Sequence, residues 1–362
     1  MKRIKVAVIA KLEDHKLVQK LQPFVTMPEV EELVLIRRRP LQLAGVRNVC
    51  PPAAIADVTA LAEPWRLLST WNSVRRWPRE RSFLVSFFLM PHALHADMVG
   101  RLSGIPTVPV ALSQEDVEQA LRHPLIRPAV RRAHAVGVRG AYSRRLLLES
   151  GIAHVFEPPN VHDLSCFAPG APGAADLDVV YAGALVPVKQ LDLLLEALAL
   201  VKRARPGLRA AVVGGGRLMA ELQARAALLG LSDNVAFPGA LPQAQVAEWL
   251  RRARVFVMTS KVEGLPMAMV EALSCGVPVV LPDVGDVTTV AQDGENAWIV
   301  KAPSAEAFAD ALQTLLADEP RRARLAEGAL RARTYFEREY SLEAAQRSWR
   351  RALLSGSGRE AD

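Results

Sequence analysis

Apolar runs of strand length alternate with amphipathic helical stretches along almost the whole chain, and this alternation restricts the fold more than any single motif does. Short runs buried on both faces, each followed by a helix, read as a parallel sheet covered on both sides. In the first half the runs fall at residues 4–9, 32–36, 83–89, 107–111 and 135–138. In the second half they fall at 177–181, 210–213, 235–237, 255–258 and 277–281. Helical patterns there cover 191–202, 217–229, 243–252, 266–275, 305–316 and 319–337. Between the halves, PPNVHDLSCFAPGAPGAAD (158–176) replaces periodicity with Pro, Gly, Ala and Asp, as a hinge does. The expectation is an α/β protein of two doubly wound, Rossmann-like domains facing each other across a cleft. The first covers residues 1–165 and the second 166–340, with a helix and tail over 341–362. That last helix, about 341–354, carries Trp349 on its apolar side, a face suited to crossing back onto the first domain.

Charge separates the halves as clearly. Residues 1–165 hold 23 Lys and Arg against 15 Asp and Glu, whereas the remainder is nearly balanced at 22 against 23. A basic first half points to an anionic partner: a membrane surface, a phosphorylated acceptor or nucleic acid. No nucleic-acid recognition motif accompanies the charge, so nucleic acid is not expected as a partner. Three widely spaced cysteines (Cys50, Cys166, Cys275) fit neither a disulfide framework nor a metal cluster, and with no signal-like or membrane-spanning run the expected location is cytoplasmic.

The chemistry concentrates in SKVEGLPMAMVEALSCGVPVVLPDVG (260–285). A strand runs into a loop carrying Glu263, Gly264, Leu265 and Pro266, and then a helix begins. Gly264 lets backbone approach a ligand, Pro266 suits a first helical turn, and the free N–H groups there favour an anionic diphosphate. Glu271 lies eight residues beyond Glu263, about two helical turns along. Two carboxylates so placed can accept hydrogen bonds from two sets of sugar hydroxyls. Spacing alone leaves open that Glu263 merely caps the helix and that Glu271 is a solvated helix residue.

This segment resembles glycosyltransferase family 4, the retaining enzymes of the two-domain GT-B fold, whose E-x7-E pattern matches Glu263 and Glu271. YAGALVPVKQLDLLLEAL (181–198), VVGGGRLMAEL (212–222), the stretch 234–260, DGENAWIV (293–300) and PPNVHDLSCF (158–167) match further family segments in order, so the resemblance covers nearly all of residues 135–340. It implies that the first domain binds the acceptor and the second a nucleotide diphosphate-sugar, most often a UDP- or GDP-sugar. It assigns Lys189 to the diphosphate, Glu263 to the transferred sugar and Glu271 to the ribose, with Gly264, Leu265, Pro266 and the glycine turn at Gly214 completing the donor site. Neither cofactor nor metal is implied. The acceptor would be a sugar, a lipid-linked glycan or a small molecule.

Two departures stand out. The family places an Arg five residues before the phosphate Lys, where this chain has Ala184; Arg217 or Lys261 are candidates to replace it. A histidine usual in the first domain has no clear counterpart, and His92, His95 and His123 read as surface or supporting residues. Lys11 and His15 follow the first strand in place of a glycine-rich loop and are acceptor-side candidates. Residues 63–81 interleave Trp65, Trp71 and Trp77 with Arg66, Arg75, Arg76, Arg79 and Arg81, a pattern suited either to an anionic bilayer or to an ordinary helix with a basic end. The alternatives to a transferase are a catalytically weakened homologue that still binds nucleotide-sugar, and a sugar-nucleotide epimerase of the same fold.

Overall fold

The computed structural model describes residues 3–56, 58–170 and 175–354, without the side chains of His15, Ala56, Thr59 and Ala60. Residues 171–174 of the expected hinge and the tail 355–362 lie outside the described residues. The chain forms two units: residues 1–162 together with 339–362, and residues 163–338.

The first unit holds seven strands: β1 (Ile4–Ile9), β2 (Val30–Ile36), β3 (Val46–Val49), β4 (Ser82–Phe87), β5 (Thr107–Val110), β6 (Val136–Gly137) and β7 (Val155–Phe156). They pair in parallel in the order β3-β2-β1-β4-β5-β6-β7. Successive side chains of β1 face opposite sides of this sheet. Val6 and Val8 pack with Leu17, Leu21 and Phe24, while Ala7 and Ile9 pack with Val74, Ala96 and Val99. Both faces are apolar, which is why the strands read as continuous hydrophobic runs.

The helix Leu342–Leu354 belongs to this unit, and it seats Trp349 against Phe24 and Phe156 at centroid distances of 4.5 and 5.1 Å. An ion pair between Arg350 and Glu29 (2.8 Å) fixes its outer edge. Two expectations are corrected here. The run 83–89 ends as a strand at Phe87, because Phe88 turns into the left-handed region (φ 71°). Residues 11–16 are only partly loop: Asp14 already begins the helix Asp14–Thr26.

The second unit holds β8 (Leu177–Ala182), β9 (Ala210–Val213), β10 (Val235–Gly239), β11 (Ala253–Val257), β12 (Val279–Pro282) and β13 (Ala297–Val300), parallel throughout in the order β10-β9-β8-β11-β12-β13. Winding starts at β8, proceeds outward to β10, and then reverses through β11. The neighbours β8 and β11 therefore flank a topological switch point, where open α/β sheets bind ligands beyond the carboxyl ends of their strands. The helix expected over 266–275 is Met267–Ser274, with Pro266 as its extended N-cap rather than its first turn.

Candidate active site

Lys189 follows β8 and Glu263 follows β11, so the fold brings these residues, 74 apart in sequence, to the same end of two adjacent strands. The Lys189 ammonium donates to the Glu263 carboxylate at 2.5 Å, with side-chain exposures of 21% and 10%. The two loops are tied together by other groups as well. The buried Thr259 hydroxyl lies 3.0 Å from the carbonyl oxygens of both Lys189 and Gln190, and the Lys261 N–H donates to the Val188 carbonyl at 2.8 Å. Gln190 takes a left-handed conformation (φ 47°) to start the helix Leu191–Ala204, which sets where Lys189 stands.

Beside the pair, Ala182, Ala184, Gly214, Ala268 and Glu271 line a pocket of about 230 Å³ at the carboxyl ends of β8 and β9. Its wall requires glycine. A Cβ on Gly214 would lie 1.8 Å from the Gly183 carbonyl oxygen, so the two turns touch backbone to backbone. Tyr181 supports this wall from within: its hydroxyl donates to the Ala184 carbonyl at 3.0 Å, and burial, with the Glu263 charge second, pushes its pKa up. Tyr181 thus stays a neutral donor. Glu271, half-buried on the helix Met267–Ser274, faces the pocket, which rules out a purely solvated role for it.

The expected site residues fall into two groups. Lys189 pairs with Glu263, Glu271 and Gly214 line one pocket, and Gly264, Leu265 and Pro266 continue from Glu263 into the helix N-terminus. Gly264 is exposed with open space where a Cβ would be, so no packing demands a glycine there. Arg217 and Lys261 are exposed and do not line the pocket. Each nevertheless flanks the Ala184 loop, since Leu218 donates to the Leu185 carbonyl (3.3 Å) and Lys261 to that of Val188. Tyr181, Thr259 and Ser260 carry no signal in the sequence that marks them as site residues. Ser260 is 1% exposed and its hydroxyl has no hydrogen-bond partner among the described residues, an orphan in the loop that carries Glu263. Only the tertiary pairing of the two loops reveals these three.

In the first unit Lys11 is exposed at the carboxyl end of β1. His15 lies in the helix Asp14–Thr26, its side chain outside the described residues. The helix Thr59–Val74 does not present one continuous apolar stripe. Leu61 and Leu68 face outward (52% and 64% exposed), Trp71 and Trp77 pack against the core, and Trp65 is half-buried. Arg75 lies over the Trp71 ring at 5.3 Å and Arg76 is exposed. Arg66, grouped in the sequence with this basic end, is instead buried at 5% exposure. His92 and His95 are likewise buried, not surface residues, and burial pushes the His92 pKa down to about 4. No helix among the described residues is long and apolar enough to cross a membrane.

The profile of the family described as "Glycosyl transferases group 1" matches residues 171–332, which contain the whole Lys189–Glu263–Glu271 constellation. The D-inositol 3-phosphate glycosyltransferase of Thermomonospora curvata is 42% identical over 167 residues, 43% of this chain and 38% of that protein. The GDP-mannose-dependent alpha-(1-6)-phosphatidylinositol monomannoside mannosyltransferase of Mycolicibacterium smegmatis is 34% identical over 224 residues, 55% of this chain and 58% of that protein. The chain thus spans about half the length of the curated relatives it matches. The crystal structure of Anabaena HepE in complex with UDP superposes with a TM-score of 0.76 at 16% identity, covering 98% of this chain and 100% of that one. At that identity the likeness speaks for the fold, which is GT-B.

Proposed function

We propose that the protein is a retaining glycosyltransferase that draws its sugar from a nucleotide diphosphate donor, a reading supported by the match of residues 171–332 to the group 1 glycosyl transferase profile. The observation that carries this reading is the Lys189–Glu263 pair at the switch point, beside a glycine-walled pocket holding Glu271. The pocket takes the nucleoside end of the donor, with Glu271 accepting from the ribose hydroxyls. Gly214 and Gly183 let the diphosphate approach the backbone, and the Lys189 ammonium opposes the charge that grows on the leaving phosphate oxygen. Glu263 accepts hydrogen bonds from the transferred sugar and, by pairing with Lys189, orients the ammonium before the donor arrives.

In transfer, the bond from the anomeric carbon to the diphosphate oxygen breaks and a new one to the acceptor oxygen forms on the same face. The acceptor hydroxyl proton passes to the departing phosphate. Lys189, rather than a bound metal, supplies the cation in this scheme. The name of the mycolicibacterial relative specifies GDP-mannose and HepE was crystallised with UDP, so UDP- and GDP-sugars are the donors to test first. A thermal-shift panel of UDP, GDP, ADP and their sugars identifies the donor, because a ligand that binds only the folded state raises the melting point. Glu263→Ala should then abolish turnover, and NMR of the product should show the donor's anomeric configuration kept. Normal turnover by Glu263→Ala would end the role given to this carboxylate.

One observation favours a second reading. Ala184 is exposed and lines the pocket where the family's arginine would stand, and among the described residues no cationic one lines that pocket. A homologue that binds nucleotide-sugar but transfers it slowly, or not at all, would show a melting shift with the donor and no product with any acceptor. The acceptor, in either reading, belongs to the first unit and is a sugar, a lipid-linked glycan or a small molecule. The exposed Leu61 and Leu68 with Arg75 and Arg76 are the residues through which that unit would lie peripherally on an anionic membrane.

A further inference from the structure

The loops at the carboxyl ends of β1 and β2 enclose a pocket of about 340 Å³ whose charged lining is Lys11, Glu13, Arg37, Arg38, Arg39 and Arg66. Its position follows from topology. Winding in the first unit reverses between β1 and β4, so this pocket opens beside that unit's own switch point.

Arg66 is the fixed element. It reaches the pocket from the helix Thr59–Val74 while remaining only 5% exposed. Its Nη1 donates to Glu63 Oε2 at 3.0 Å and lies 3.3 Å from His92 Nε2. His92 Nδ1 is 2.7 Å from the Phe87 carbonyl oxygen, which can only accept, so Nδ1 carries the proton and Nε2 accepts from Arg66. A neutral His92 is what its surroundings enforce: burial lowers its pKa to about 4, and the charges of Arg66 and Lys11 push in the same direction. One guanidinium nitrogen is thus held from behind, and among the described residues the remaining donors of its rigid fork have no partner and can serve the pocket.

The other cations are unequally engaged. Arg37 is held by Asp14 (2.8 Å) and the Leu12 carbonyl (3.2 Å), and the Glu13 carboxylate is paired with Lys16 at 2.8 Å. Among the described residues, Lys11, Arg38 and Arg39 have no carboxylate partner. Like charges gathered in one concavity repel, and Arg38 indeed adds to the burial that lowers the Arg66 pKa. A doubly charged oxyanion relieves that repulsion and fits the planar donor fork of arginine in a way that a neutral hydroxyl does not.

We propose that this pocket binds a phosphate ester group of the acceptor, with Arg66 as the pre-set donor and Lys11, Arg38 and Arg39 closing on it. The word acceptor rests on the transferase reading above; the anion site does not. The test uses the full chain and calorimetric titration with inorganic phosphate, in the wild type, in Arg38→Glu/Arg39→Glu and in Lys189→Ala. Phosphate binding should weaken at least about tenfold in the double variant and persist in Lys189→Ala. UDP binding should show the opposite pattern, and a wild-type circular dichroism spectrum and melting profile report that the first unit of the double variant is folded. Should the reversal lose UDP binding too, Arg38→Gln/Arg39→Gln is judged by the same pair of titrations.

A parallel arm floats the protein on phosphatidylcholine vesicles with and without a phosphoinositide. Vesicle capture that the double variant abolishes assigns the phosphate to a lipid headgroup, whereas binding confined to the free ion assigns it to a soluble acceptor. Phosphate and vesicle binding that are both absent, or both unchanged by the variant, overturn the proposal. Phosphate binding at the arginines in a protein that ignores every nucleotide would instead leave the anion site standing and remove the transferase reading.

Discussion

Gly285 stands directly behind Glu263: with its φ of +57°, a Cβ added to Gly285 would lie 1.8 Å from the Glu263 carbonyl oxygen. The loop after β12 therefore presses on the loop that presents the candidate sugar-binding carboxylate. Gly285→Ala must both adopt a left-handed conformation, at a cost of about 1–2 kcal/mol, and push the Glu263 loop forward. Thermal denaturation should show a lowered melting point, and turnover should fall further than stability does. Gly264→Ala is the contrast: its Cβ meets open space, so the melting point should hold while donor affinity drops. Equal behaviour of the two variants would contradict the assignment.

The Lys189–Glu263 pair should show strong energetic coupling. Removing Lys189 leaves a carboxylate only 10% exposed without its partner, and that is costlier than removing both groups. In urea denaturation, Lys189→Ala/Glu263→Ala should be less destabilised than the sum of its single variants by at least about 1 kcal/mol. Strict additivity would mean that the two loops are held by Thr259 and the backbone alone.

A cation introduced at position 184 should strengthen the proposed donor site. Ala184 is exposed on the pocket rim, so a long side chain has room to turn outward from the glycine wall. Ala184→Arg should tighten UDP binding by about tenfold, read by calorimetry, through one added charge-assisted contact to the diphosphate. A weaker or unchanged affinity would contradict the placement of the diphosphate beside Ala184.

His92 predicts a pH response in the first unit. Its folded pKa lies near 4 against 6.5 when free, so below pH 6.5 the unfolded chain binds a proton that the folded chain refuses. The stability held by neutral His92 is complete above about pH 6.5 and is lost as pH falls toward 4, by up to about 3 kcal/mol. The melting point of His92→Gln should therefore depend less on pH than that of the wild type across this window. Parallel pH profiles would assign the acid sensitivity to other groups.

The second unit was legible because its signals are local. The strand read over 177–181 is β8 nearly residue for residue, and the Glu263–Glu271 spacing lies within one loop and one helix. What the sequence hid is non-local. Arg66 looks like one more solvated arginine until the helix His92–Ser103 packs over it and supplies the nitrogen that accepts from it. The basic pocket gathers residues 11, 37–39 and 66 only after β1 and β2 pair in register. Strands β3 and β7 leave no periodicity to read, one having three half-buried residues around an exposed Arg47 and the other only two residues, and the short β13 is not read as a strand either.

The return of Trp349 to Phe24 has a consequence for the order of synthesis. The 176 residues from Asp163 to Arg338 must leave the ribosome before that indole can reach its seat. At usual elongation rates this is a delay of roughly 10 to 35 s, long enough for the second unit to fold first. Through that interval the nascent first unit carries an open apolar slot between Phe24 and Phe156. A pause in synthesis before the last helix would leave this slot uncovered.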